Sequence, residues 1–146
     1  MGLLSAIDIS ASGLNAQRKR LEVISSNLAN ANTTRTVEGG PYRRKDLVFE
    51  AAPVSESFNT TLNSALGSAG EASVEVTGIY EDETPPIKKY DPSHPDADSE
   101  GFVLMPNVNP IEEMINMISA TRSFEANVQS INTIKQMAQK SLEIGR

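Results

Sequence analysis

Hydrophobic residues keep a helical spacing at the two ends of the chain and lose it in between. Near the N-terminus one row of positions recurs every seven residues: Ile7, Leu14, Leu21 and Leu28. This is one good row of a heptad seam, and the alternate row is weak because small and polar residues occupy it. Asn27 and Asn30 then introduce a stretch rich in asparagine and threonine, which favours leaving the helix. The pattern predicts a first helix over about residues 3–30.

Near the C-terminus a series of positions spaced alternately by three and four residues is mostly apolar. The main ones are Met114, Met117, Phe124, Val128, Ile131 and Leu142. Asn109 is a suitable N-cap, Pro110 suits the first helical position, and Glu112 with Glu113 suits the positive end of the helix dipole. These signals predict a second helix over about 110–144. Such a helix is about 50 Å long, too long for a small domain to bury, so we expect partners outside its own chain.

The middle of the chain has short alternating patterns instead. They predict strands over about 42–50, 74–80 and 102–105, with a mobile loop near 57–73 where serine, threonine, asparagine and glycine dominate. The predicted class is α+β, in which long N- and C-terminal helices form a coiled-coil-like pair around a small β-rich centre. The corresponding domains are 1–32, 33–109 and 110–146.

Charge follows the same division. Residues 1–45 carry a balance of +4, residues 46–113 a balance of −12, and residues 114–146 a balance of +2. The short basic cluster at 43–45 is followed at once by Asp46, so nucleic acid is not an expected partner. No apolar run reaches transmembrane length and no signal-peptide pattern opens the sequence. We therefore expect neither direct membrane insertion nor a cleaved signal.

Candidate chemistry is sparse. His94 is the one histidine and stands among Asp91, Asp96 and Asp98, which leaves open a metal site or an acid–base group, but a solvated turn fixed by two prolines is the better interpretation. The stretch 96–101 resembles the first half of a calcium loop, yet the twelfth loop position is Asn107 instead of glutamate. We predict no functional metal and no cofactor.

Enzymatic motifs are missing from the sequence. There is no cysteine, no nucleophile elbow, no P-loop, no dinucleotide fingerprint and no HExxH. A nucleophilic triad would have to be built on His94, and nothing near it in the sequence supports one. We predict that the protein is not an enzyme and has no catalytic residues.

Four ordered stretches carry a family resemblance. Residues 25–33 (SSNLANANT) closely resemble the signature of flagellar rod and hook proteins at the end of their first helix. Residues 39–44 (GGPYRR), the central stretch 90–108 and the helical stretch 113–128 are similar to further motifs of the same family. Phe102 and Phe124 replace the tyrosine that the pattern often has. Because the motifs span nearly the whole chain in order, the resemblance is specific.

The resemblance implies a structural subunit of the proximal rod of the flagellar basal body. Its implied partners are copies of itself, other flagellar rod proteins, membrane-ring or rod-adaptor proteins, and the flagellar type III export apparatus. It further implies a periplasmic rod location, reached without a cleaved signal peptide, and a terminal helix pair that lines a tube, transmits torque and forms the wall of the export channel.

The assembly interface is expected on the two helical seams and at the end of the first helix. Its candidate residues are Ile7, Leu14, Leu21, Asn27, Leu28, Asn30, Met114, Met117, Phe124, Val128, Ile131 and Leu142. The alternative interpretation is a non-enzymatic helical adaptor or binding module with an acidic loop that could bind a metal. A rod subunit should have terminal segments that are largely unfolded when it is alone, whereas an adaptor should be a cooperative monomer with full helicity.

Overall fold

The computed structural model describes residues 2–37, 39–53 and 71–144, with only the backbone at Ile144. Within these ranges the elements in chain order are α1 (Leu3–Ala29), β1 (Lys45–Pro53), β2 (Ala72–Glu81), β3 (Ile87–Tyr90), β4 (Phe102–Met105) and α2 (Pro110–Ile144). No helix in these ranges is both long and apolar enough to span a membrane. The predicted α+β class is confirmed.

The helix boundaries follow from the local signals in the sequence. α1 ends at Ala29, after which Ala31 and Thr33 donate backbone hydrogen bonds to Leu28 and Asn30 in tight turns. At the start of α2, the Asn109 side-chain oxygen accepts a hydrogen bond of 3.1 Å from the Ile111 N–H, as an N-cap does. Both helices were therefore predicted to within a residue at these ends.

The strands form two two-stranded sheets, β1 with β2 and β3 with β4. β3 and β4 are antiparallel, with Tyr90 opposite Phe102 and Ile87 opposite Met105. The sequence pattern does not predict β3, because two lysines fill its centre and Pro85–Pro86 precede it. Proline before an exposed strand is compatible with an edge position. Of the predicted loop near 57–73, residues 57–70 lie outside the described residues, and Ala72 and Ser73 belong to β2.

The chain divides into two compact units, and each contains parts of both helices. The first comprises residues 1–19, 48–78 and 120–146. Within it, a Cβ atom on Gly13 of α1 would lie 3.0 Å from Asn127 Nδ2 of α2, so glycine permits this close approach. Ala16 and Ala120 are the buried apolar residues described in this unit.

The second unit comprises residues 20–47 and 79–119. Its buried apolar residues are Ile24 and Ala31 from the end of α1 and its turn, together with Val103 and Val108 from β4 and the segment after it. Two polar side chains, Asn27 and Glu113, are each only 1% exposed. A carboxylate and an amide that are this deeply buried require hydrogen-bond partners. The residues that surround Asn27 and Glu113 therefore form the candidate site of this unit.

Candidate functional site

Asn27, in the last turns of α1, uses every hydrogen-bonding position of its amide. Its Nδ2 donates to the Lys45 carbonyl oxygen at 2.7 Å and to Glu113 Oε2 at 3.0 Å. Its Oδ1 accepts from the Lys45 N–H at 2.9 Å and from the Tyr42 hydroxyl at 3.0 Å. An amide has two donors and one oxygen with two acceptor positions. Asn27 therefore ties the end of α1 to the start of β1.

Glu113 brings the start of α2 to the same point. Its Oε2 accepts the bond from Asn27, and its Oε1 accepts a hydrogen bond of 2.9 Å from Arg44 Nε. Arg44 also contacts Asp46, with 3.2 Å between Nη1 and Oδ2. A buried carboxylate is tolerated when a cation and further donors satisfy it. We call Asn27, Tyr42, Arg44, Lys45 and Glu113 the polar junction.

The electrostatics of the polar junction favour the charged form of Arg44. Burial by itself would lower the pKa of Arg44, but the hydrogen bond and the charge of Glu113 outweigh it, with a smaller contribution from Asp46, so the pKa of Arg44 is raised. A cavity of about 130 Å³ borders the junction and is also lined by Arg20 and Asn116. The group holds three parts of the chain together.

The loop between β3 and β4 is held by the side chain of Asp98. Asp98 Oδ1 accepts hydrogen bonds of 2.9 Å from the N–H groups of Glu100 and Phe102. The bond from Phe102 is the main cause that lowers the pKa of Asp98. Gly101 has a φ of +82°, and a Cβ there would lie 3.0 Å from Tyr90 Cε2, so only glycine fits without strain. The acidic stretch is thus an ordered hairpin loop.

His94 belongs to this loop. Its Nδ1 accepts a hydrogen bond of 3.1 Å from the Asp96 N–H, and the Asp96 Oδ2 atom lies 4.0 Å from the same nitrogen. Asp96 Oδ2 also accepts from the Thr34 hydroxyl at 2.7 Å. Among the residues that the structure describes, no cluster of three or more His, Cys, Asp or Glu side chains has the arrangement of a metal site.

Comparison with known proteins covers the whole chain. Residues 7–35 match the model of the flagella basal body rod protein family, and residues 99–144 match the flagellar basal body rod FlgEFG protein C-terminal family. The flagellar basal-body rod protein FlgC of Bacillus subtilis is 45% identical, with 100% of both chains covered. The FlgC proteins of Borreliella burgdorferi and Escherichia coli O6:H1 are 44% and 42% identical, with at least 98% of each chain covered.

The chain belongs to the FlgC family of flagellar basal-body rod proteins. It is a structural subunit of the rod, located in the flagellar basal body. The resemblance drawn from the four sequence stretches is therefore confirmed. The polar junction gives these FlgC stretches a physical meaning, because three of them each contribute to it: Asn27 from the first, Tyr42 and Arg44 from the second, and Glu113 from the fourth.

The candidate assembly residues lie at different depths in this FlgC-family chain. Asn27 is buried, and Met114, Val128 and Leu142 are exposed. The others are half-buried: Ile7, Leu14, Leu21, Leu28, Asn30, Met117, Phe124 and Ile131. Asn30 turns its amide back to the Ser26 carbonyl at 2.9 Å. The assembly role of these residues stays a prediction.

The sequence pattern does not predict the partners of Asn27. It explains Asn27 as part of a helix stop and Glu113 as a complement to the helix dipole, and it gives no individual role to Tyr42 or Arg44. The available signal was an arginine pair after a glycine turn, on a chain whose second helix starts with two glutamates. Pattern alone does not say which glutamate is buried, since Glu112 and Glu113 are adjacent and only their rotational position on α2 separates them.

Proposed function

We propose that the chain polymerises with copies of itself and with other axial proteins through α1 and α2, so that the terminal helices form the rod that transmits torque and the wall of its export channel. The observation that carries this proposal is the full-length similarity to FlgC proteins. One rod family model matches residues 7–35, which include most of α1, and the other matches residues 99–144, which include β4 and α2. A structural role without catalysis is part of the same proposal.

The exposed apolar surface of α2 supports polymerisation. The helix has 35 residues, which at about 1.5 Å per residue gives about 50 Å. Between residues 120 and 143, Ala120 is the only described residue that is buried, while Met137 is 52% and Leu142 75% exposed. These apolar side chains are exposed in the single subunit. They would become buried if a neighbouring helix covered them, and that burial favours association.

Further partners and the route to the rod belong to this proposal. The chain would contact membrane-ring or rod-adaptor proteins at one end of the rod, and the flagellar type III apparatus would export it without a cleaved signal peptide into the periplasmic rod. The resemblance of the sequence to rod and hook proteins supports this view. Terminal segments that are largely unfolded before assembly would suit passage through a narrow channel.

Motility of a Leu21→Asp strain tests the packed seam, by which we mean the heptad row of α1 packed against a neighbouring helix in the rod. Leu21 is half-buried in α1, and a charge there should prevent a helix neighbour from covering it. We expect loss of swimming with secretion of the subunit intact, which separates assembly from export. Asn15→Asp adds the same charge at an exposed position of α1 and should leave swimming unchanged. Normal swimming of the Leu21→Asp strain would refute the packed seam.

Circular dichroism of the purified monomer separates the rod subunit from a helical adaptor. We expect the terminal segments to be largely unfolded alone, because their seams are completed only by neighbours. The polar junction narrows this expectation to residues 3–19 and 120–144, since hydrogen bonds within the second unit hold the inner ends of both helices. A cooperative monomer with full helicity over both helices would favour the adaptor.

A further inference from the structure

The loop between β3 and β4 is joined to the segment after α1 through Asp96. The Oδ2 atom of Asp96 accepts a hydrogen bond of 2.7 Å from the Thr34 hydroxyl. Thr34 follows the turns that end α1, and both residues belong to the second unit. Because they are 62 residues apart in the chain, this bond connects two separate segments of the unit. We call the bond, together with the His94 ring beside it, the loop link.

The ring of His94 takes part in the loop link as a hydrogen-bond acceptor. Its Nδ1 atom accepts from the Asp96 N–H at 3.1 Å and lies 4.0 Å from Asp96 Oδ2. A neutral imidazole accepts at one ring nitrogen and donates at the other, whereas a charged imidazole donates at both. The ring that makes this bond is therefore neutral and carries its proton on Nε2. The His94 side chain is 33% exposed, so protons from the solvent can reach it.

Protonation of the ring would reverse the role of Nδ1. Its new N–H would point at the Asp96 N–H, and the hydrogen bond between the two groups would be lost, because both would be donors. The Asp96 carboxylate lies within reach at 4.0 Å, and a charge-assisted hydrogen bond to it has a length of about 2.7–2.9 Å. Asp96 Oδ2 would therefore move toward the ring by about 1 Å. The same oxygen accepts the bond from Thr34, so this movement acts directly on the loop link.

The other charged groups around the loop link come from three parts of the second unit. They are Asp91, Asp96 and Asp98 from the loop, Lys88 from β3 and Arg35 from the segment after α1. All of them except Asp91 line one cavity of about 470 Å³, and β4 contains no charged residue. Histidine is the side chain whose charge ordinarily changes between about pH 5 and 8. Carboxylates, lysines and arginines ordinarily keep their charge over that range.

We propose that His94 is a pH-sensitive switch for the contact between the β3–β4 loop and the segment after α1. With a neutral ring, the Asp96 N–H binds Nδ1 and the Asp96 carboxylate binds Thr34. With a protonated ring, the carboxylate turns to the imidazolium and the bond to Thr34 is released, which loosens the loop from the end of α1. The pH of the solvent sets the populations of the two states. The switch lies within one subunit and goes beyond the proposed function.

An NMR titration of the whole chain between about pH 8 and pH 5 tests the switch, since histidine ordinarily changes charge in this range. We expect the amide resonances of Thr34 and Asp96 to shift with one midpoint, equal to that of the His94 ring protons. In His94→Gln, which has no titrating group at this position, neither amide should shift over the same range. In Thr34→Val, which lacks the hydroxyl, the Asp96 amide should still follow the ring, whereas the shift at position 34 should be lost.

The amide of Phe102, whose N–H binds Asp98, reports in the same spectra that the loop is folded. If the amides of Thr34 and Asp96 stay fixed while the His94 ring titrates, the switch does not exist. A shift of Thr34 that persists in His94→Gln would equally overturn the proposal, because another group would then cause it. Random-coil positions of Asp96 and Phe102 at the start of the titration would also overturn it, since the subunit would then lack the loop link. These outcomes leave the proposed rod function standing, because recovery of the chain in basal bodies measures that function separately.

Discussion

The two parts of α2 differ in what fixes them. From Pro110 to Ser119 the helix carries Glu113, whose carboxylate is held by Asn27 and Arg44 within the second unit. From Ala120 onward the described side chains are exposed or half-buried apart from Ala120 itself. Both parts carry exposed apolar side chains, but only the first also has a buried carboxylate whose hydrogen-bond partners lie inside the chain, among the residues that the structure describes. The beginning of α2 is thus anchored within the second unit by Glu113, whereas the proposed association would involve the apolar groups along the rest of the helix.

The polar junction discriminates between the native arrangement of the helix ends and arrangements in which one helix is shifted. Asn27 has four hydrogen bonds with two different parts of the chain, and a shift of one residue along either helix would break several of them. Unpaired buried polar groups are costly. An apolar seam, by contrast, accepts several registers and several partners at similar cost. Substitutions in the polar junction and in the apolar seam test this difference.

The largest expected effect is at the polar junction. Glu113→Ala should lower the free energy of unfolding by about 3–5 kcal/mol, the usual cost of removing one partner of a buried ion pair. The expected value is at the low end, because Arg44 is 27% exposed and retains Asp46. Urea denaturation followed by circular dichroism measures it. Glu112→Ala is the matched control, exposed on the same turn, and a loss as large as that of Glu113→Ala would remove the distinction between the two glutamates.

The loop that precedes β4 should show the next largest effect. Gly101→Ala combines a positive φ with contacts of 3.0 Å to Tyr90 Cε2 and 3.2 Å to Pro92 Cβ. We expect a loss of about 1–3 kcal/mol in the same urea measurement. Gly39→Ala has a similar φ of +90° with no atom within 4 Å of the added Cβ, so it isolates backbone strain. Equal losses for both variants would show that the contacts with Tyr90 and Pro92 add nothing.

The outer part of α2 should respond to substitution only in the assembly. Leu142→Ala, at a residue 75% exposed, should change the free energy of unfolding of the monomer by less than about 0.5 kcal/mol. The same variant should reduce the fraction of subunits recovered in basal bodies, because a neighbouring chain is expected to cover this residue. Lys140→Ala, at an exposed position two residues earlier on the same helix, is the control. A marked loss of monomer stability in Leu142→Ala would place its partner inside the chain.

The smallest effect is a pH dependence of the β3–β4 loop. The hydrogen bond from the Phe102 N–H lowers the pKa of Asp98, so the ionised carboxylate stabilises the folded loop. That contribution is fully present above the unfolded pKa of about 3.9 and is lost as the pH falls through the lower folded pKa. The amide resonance of Phe102 should follow this titration in NMR spectra. In Asp98→Asn the titration should disappear, and its persistence would assign it to another group.

The sequence predicted the helices well because their signals are local. Asn109 caps α2 as the sequence suggested, and apolar spacing alone predicted most of both helices. β3 was missed because Ile-Lys-Lys-Tyr has no alternation that distinguishes it from a loop. Its four residues are all exposed, and the strand exists because β4 supplies hydrogen bonds in a register set by the loop between them. Such non-local pairing is not encoded in a short window.

The polar junction was beyond sequence reasoning for a different reason. Asn27 and Glu113 are 86 residues apart, and each has a sufficient local explanation as a helix-end residue. Because the helix-end role already explains each residue, nothing in the sequence indicates its second role as a buried hydrogen-bonding partner. The family motifs contained the relevant residues without indicating that they meet. Only the packing of the second unit brings an amide, a guanidinium and a carboxylate within hydrogen-bonding distance.

The full use of the Asn27 amide has a consequence for chemical ageing. Deamidation would convert it to aspartate, which has no N–H to donate to the Lys45 carbonyl and would place a second carboxylate about 3 Å from that of Glu113, where like charges repel. The reaction requires the following backbone nitrogen to attack the side-chain carbonyl. In α1 that nitrogen is fixed in helical geometry, and the Asn27 oxygen is held by Tyr42 and Lys45. The hydrogen bonds that specify the fold therefore also protect Asn27 from deamidation, a reaction that would destabilise the same fold. Such protection suits a structural subunit of the rod.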